Sequence, residues 1–127
     1  VKHNPAYPYT DVTIAIDFDG VIHNNDKGYH DGTIYGELID GTEKALQWLH
    51  EQFVIIIYTT KARKDRPKVN GKTGEELIWE YLNKKNIAQY IDSVTAEKPP
   101  AFLYIDDKGW RFTNWIELIN FLNVEPQ

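Results

Sequence analysis

The sequence predicts an α/β domain organised around a mainly parallel sheet, and two observations carry that prediction. Residues 12–16 (VTIAI), 53–58 (FVIIIY) and 101–105 (AFLYI) are short runs rich in β-branched and aromatic residues, almost unbroken by polar ones. Apolar runs of that kind suit strands covered on both faces, as in parallel sheets, whereas half-exposed strands alternate. Segments with apolar residues at helical spacing lie between and after these runs, and strands alternating with helices build parallel units. At 127 residues the chain fits one domain.

Residues 1–11 read as an extended N-terminal arm. The first strand, 12–16, runs into Asp17 and Asp19, which flank Phe18 and precede Gly20. A buried strand rarely finishes in paired charge unless something binds there, and in open α/β sheets ligands bind at the carboxyl ends of strands. Gly20 is expected to allow a close backbone approach. Residues 21–39 mix turn formers with a few apolar residues and read as a flap-like excursion. His23 and His30, within it, read as exposed loop histidines without a catalytic role.

The segment 40–52 places Ala45, Leu46, Trp48 and Leu49 at helical spacing, with Asp40 or Thr42 as N-cap. Strand 53–58 leads into Thr59 and Thr60. A basic stretch follows, with Lys61, Arg63, Lys64, Arg66, Lys68 and Lys72 against a single Asp65; taken alone, such a run is a solvated loop. Residues 73–86 form a second predicted helix, in which Leu77, Ile78, Tyr81 and Leu82 share a face and Thr73 and Glu76 have capping-box spacing. A short strand is expected within 90–95. Lys98, Pro99 and Pro100 introduce strand 101–105, which runs into Asp106 and Asp107. Residues 113–122 form the last helix, with Trp115, Ile116, Leu118, Ile119 and Leu122 apolar. Trp48, Trp79, Trp110 and Trp115 are expected to pack in the core.

Composition narrows the function classes. No apolar run approaches membrane-spanning length, and residues 1–11 contain no apolar signal core, so a cytoplasmic location is expected. The chain has no Cys, which removes disulfides, thiolate nucleophiles and zinc–thiolate sites and leaves oxygen and nitrogen groups for chemistry. A net charge of −5 argues against a general nucleic-acid binder, whose affinity comes from phosphate neutralisation. No obligate protein partner is evident.

If the strands ending in Asp17 and Asp106 are neighbours, Asp17, Asp19, Asp106 and Asp107 converge. Carboxylates crowded together raise some pKa values or require a cation. Oxygen-only ligands favour a hard divalent ion, and Mg²⁺ is the usual choice beside phosphate. A carboxylate in such a site can attack phosphorus, and a second can protonate the leaving oxygen. Thr59 supplies a hydroxyl and Lys98 an ammonium to hold the phosphoryl group.

These residues resemble the haloacid dehalogenase-like phosphohydrolases. That family has an apolar strand ending in D-x-D-G-[TV], a second ending in Thr or Ser, then a Lys, then an apolar strand ending in acidic residues. Here DFDGVI, IIIYTT, EKPP and FLYIDD follow in that order, spanning residues 12–107. The resemblance implies a three-layer Rossmann-like domain with Asp17 as nucleophile and metal ligand. It implies Asp19 as general acid/base and, through its backbone carbonyl, a metal ligand. Asp106 completes the protein's metal ligands, with Asp107 acting directly or through water.

Thr59 and Lys98 would hold the phosphoryl group, with Gly20, Thr60, Lys61 and Arg63 as further substrate-binding candidates. Lys98 stands eight positions before Asp106, and Lys61 is its alternative. Neither interval that hosts a cap domain in this family is long enough here, which implies a capless member. The implied activity is a Mg²⁺-dependent phosphatase acting on a phosphomonoester, either a small molecule such as a nucleotide or a nucleic-acid end. The alternative is a non-catalytic metal- and phosphate-binding interaction module on the same fold. A two-component receiver domain has similar parts, but its acid pair opens the chain and its Lys comes last, unlike the order found here.

Overall fold

The computed structural model describes residues 13–28, 31–101, 103–106, 110–111 and 113–123. The N-terminal arm, His30 and Asp107 lie outside the described residues. Strand β1 (Thr13–Ile16) is followed by helix α1 (Thr42–His50), strand β2 (Val54–Tyr58), helix α2 (Gly74–Lys84), strand β3 (Ser93–Thr95), strand β4 (Leu103–Asp106), the two-residue strand β5 (Trp110–Arg111) and helix α3 (Trp115–Asn123). The sheet order is β3-β2-β1-β4-β5, and every pairing is parallel. The α/β class and parallel sheet expected from the sequence are therefore present, in a layout compatible with a Rossmann-like domain. No helix among the described residues is long and apolar enough to cross a membrane.

β1 is central, and all four of its residues are buried. Successive strand residues point to opposite faces, so both faces of β1 are covered. That is why Ile14, Ala15 and Ile16 follow one another without polar alternation. They join Leu46 and Leu49 of α1, Ile55 and Ile57 of β2, and Ile78 and Leu82 of α2 in one core. Trp115 is buried, and Trp48 and Trp79 pack against the core from its edge.

α2 starts where the capping box places it. The Thr73 hydroxyl accepts from the Glu76 amide at 3.1 Å, and the Glu76 carboxylate accepts from the Thr73 amide at 2.8 Å. These contacts hold the Glu76 carboxyl below its ordinary range, the backbone bond from Thr73 most of all. α1 differs from expectation. Its N-cap is Gly41, at φ 89°, with no side-chain cap, and Thr42 lies inside the helix. The Thr42 hydroxyl instead donates to the Ile39 carbonyl at 2.6 Å and accepts from the Trp115 indole at 2.9 Å. A buried link to the last helix has taken over the group that reads locally as a cap.

Candidate active site

β1 pairs with β2 on one side and β4 on the other, so their carboxyl ends form one edge. Ile16 stands opposite both Ile57 and Ile105. One residue further on, Asp17 reaches the level of Asp106, and its amide extends the pairing by donating to the Ile105 carbonyl at 3.1 Å. The Asp17 Oδ1 accepts from the Phe18 amide at 2.7 Å. Asp106 is buried, at 9% exposure. Two carboxylates from adjacent strands thus share the carboxyl edge at the point where chain order along the sheet reverses, the usual ligand position in this architecture.

Asp19 projects from the turn that follows. The Phe18 carbonyl accepts from the amides of Ile22 and His23, at 2.9 and 3.0 Å, and Gly20 sits at φ 84°. A Cβ on Gly20 would meet nothing within 4 Å. Glycine serves here for its positive φ, and the close approach expected from the sequence is not what requires it. The turn brings His23 back onto Asp19, with Nδ1 2.8 Å from Oδ1, while Lys61 Nζ lies 3.3 Å from Oδ2.

His23 corrects the sequence expectation, because it is fully buried instead of exposed. One local sign was available: Phe18, Val21 and Ile22 form an apolar cluster that continues to its door, and all three are buried. The partners that enclose the ring, Tyr35, Gly36 and Tyr81, come from later in the chain.

Lys61 owes its position to two local constraints. Thr59, at 5% exposure, ends β2 and caps a 3₁₀ turn over Thr60–Ala62, its hydroxyl accepting from the Lys61 amide at 3.3 Å. Gly74, the first residue of α2, abuts that turn so closely that a Cβ there would lie 1.7 Å from the Lys61 carbonyl oxygen. Helix α2 therefore braces the segment that presents Lys61. A small cavity of 70 Å³ opens beside Lys61, lined also by Ile34, Arg66, Val69 and Leu77.

The remaining candidates have other surroundings. Lys98 is exposed and stands over the Tyr104 ring, 4.4 Å from its centroid, a cation–π contact. Arg63 makes a two-pronged pair with Asp65, at 2.6 and 3.0 Å, and its guanidinium holds the Asp65 carboxyl below the ordinary range. Thr60 is exposed. The structure thus places Asp17 and Asp106 at one edge with Thr59 near them, sets Lys61 against Asp19, and gives Lys98 and Arg63 other contacts. Of the two lysines left open by the sequence, Lys61 is the one beside a candidate acid.

Among the described residues, no group of three or more His, Asp or Glu side chains could hold a metal ion. Mg²⁺ does not require such a group, since one or two carboxylates, waters and substrate phosphate commonly complete its shell. The donor pair Asp17 and Asp106 fits that chemistry, being all oxygen and anionic. The Asp19 carboxylate is already engaged by His23 and Lys61, which leaves its backbone carbonyl as the group for a metal. Compared with protein-family models, with curated proteins and with solved structures, the chain matches none.

Proposed function

We propose that this chain is a Mg²⁺-dependent phosphohydrolase that cleaves a phosphomonoester through an aspartyl-phosphate, a small capless relative of the haloacid dehalogenase-like enzymes. The observation that carries the reading is the register that sets Asp17 and Asp106 side by side at the carboxyl edge of a parallel sheet, with Asp19 and Lys61 paired next to them. Asp17, Asp106 and the Asp19 backbone carbonyl would hold Mg²⁺, which when bound would supply charge neutralisation to the phosphoryl oxygens.

An Asp17 carboxylate oxygen attacks phosphorus, the ester P–O bond breaks, and the leaving oxygen takes a proton from the Asp19 carboxyl. A water then attacks the aspartyl-phosphate and gives its proton to Asp19. The bond from Asp17 to phosphorus breaks, and phosphate leaves. Lys61 and the Thr59 hydroxyl hold the phosphoryl oxygens, so Lys61 exchanges its resting partner, Asp19, for substrate. Released from Lys61, Asp19 takes up a proton from solvent before the first step and regains one from the attacking water in the second. Arg66, on the cavity beside Lys61, favours esters whose leaving group carries a further negative charge, such as nucleotides or nucleic-acid ends.

Phosphate release with Mg²⁺ across nucleotides, phosphosugars, phosphopeptides and end-phosphorylated oligonucleotides tests this reading. Turnover is expected on at least one class, with a loss of roughly a thousandfold or more in Asp17→Asn. A chain that releases no phosphate from any of them overturns it and leaves the binding-module alternative.

A further inference from the structure

His23 has both ring nitrogens committed. Nε2 lies 2.9 Å from the Gly36 amide nitrogen, and Nδ1 lies 2.8 Å from Asp19 Oδ1. A backbone amide can only donate, so Nε2 must offer its lone pair, and in the neutral ring the proton must then sit on Nδ1. The Nδ1–H therefore donates to Oδ1.

The ring has no freedom to choose otherwise. It is fully buried, stacked on Phe18 at 5.3 Å between centroids and 14° between planes. Tyr35 and Tyr81 meet it edge-on at 5.1 and 5.3 Å. A flip about its own axis would break the bonds to Gly36 and Asp19 together. Gly36 is itself a fixed point: a Cβ there would lie 2.0 Å from the Asn24 carbonyl oxygen and 3.0 Å from Nε2. Its own carbonyl accepts from the Tyr81 hydroxyl at 2.9 Å.

We infer that His23 is a positioning residue for Asp19, and that it divides the labour between the two carboxylate oxygens. Oδ1 is occupied by Nδ1–H, so Oδ2, the oxygen that faces Lys61, is the one that gives and takes the proton. This rests on the reading of Asp19 as the general acid/base. The returning half of the 21–39 excursion, through Gly36, sets the tautomer, the tautomer sets the Asp19 rotamer, and the rotamer aims Oδ2. The excursion thereby becomes part of the acid/base machinery without contributing a group that touches substrate.

Two substitutions separate this role from a purely structural one. His23→Asn keeps an amide donor where Nδ1 stood and loses the acceptor for Gly36, whereas His23→Gln carries an acceptor toward the Nε2 position and loses the donor to Asp19. With Mg²⁺ and p-nitrophenyl phosphate, the Asn variant is expected to exceed the Gln variant in kcat by about tenfold or more, a part of the roughly 10²–10⁴-fold that a positioned acid/base contributes. KM is expected to change little in either, and the Asn variant to have the lower melting temperature. Equal kcat values, or kcat that follows melting temperature, would overturn the proposal. A wild-type chain with no turnover on any phosphomonoester would instead overturn the phosphohydrolase reading. Long-range ¹H–¹⁵N NMR of His23 needs no substrate: a proton on Nδ1 supports the arrangement, and an Nε2-protonated ring sinks it.

Discussion

Tyr81 illustrates how far a single side chain can be tuned by its surroundings in this protein. Its hydroxyl is drawn into the base of the excursion, donating to the Gly36 carbonyl, and its pKa is pushed up to about 12 by burial and, after that, by the negative Glu37. Its ring lies against His23, and Lys85 stands 5.6 Å from its centroid. Unfolded, the phenol titrates near 10. Between those values the folded chain holds a proton that the unfolded chain has released, so stability is fully present below pH 10 and falls as pH rises toward 12. Denaturation followed across that window is expected to show a smaller alkaline loss for Tyr81→Phe. At neutral pH the same substitution is expected to cost about 0.5–1.5 kcal/mol for the missing hydrogen bond. His23 was legible only as a polar residue in a turn-rich stretch, because its burial is created by Gly36 and Tyr81, and Tyr81 lies on α2, beyond both α1 and β2.

At the scale of elements, periodicity placed β1 to β4 and the three helices within a few residues, since what it detects is burial on a repeating face, and the two-residue β5 is too short to show one. The Thr73 and Glu76 pair marked the start of α2 because both halves of that contact lie within one turn. Its worth is measurable. Thr73→Ala is expected to lower stability by about 1 kcal/mol, read from denaturant unfolding, with the far-UV spectrum retained. The start of α1 was less legible, because Trp115, 73 positions away, claims the Thr42 hydroxyl. The same contrast holds in the candidate site. Asp17, Asp19, Thr59 and Asp106 are announced by the ends of apolar runs. The position of Lys61 depends on the fit of Gly74 against its carbonyl, which no local pattern encodes.

For the whole molecule, the decisive fact is which strands are neighbours. The runs 12–16, 53–58 and 101–105 could be recognised one at a time, but the convergence of their acidic and hydroxyl ends follows only from β1 lying between β2 and β4. A chain ending at Pro100 retains β1, β2 and β3 with α1 and α2, yet it lacks the partner of one whole edge of β1 and has no Asp106. Such a chain is expected to show no cooperative thermal transition and to self-associate through that edge, as measured by calorimetry and light scattering.

The central position of β1 also sets a timetable. Ile14 and its partner on the β4 side, Leu103, stand 89 positions apart in the chain. Until β4 has been made, Asp17 stands on an unfinished strand, and the long-range pairing that finishes it is the slow kind to form. If the proposed function holds, cation and phosphate binding would arise only once that pairing is made, so retention of either would report that β4 has docked on β1.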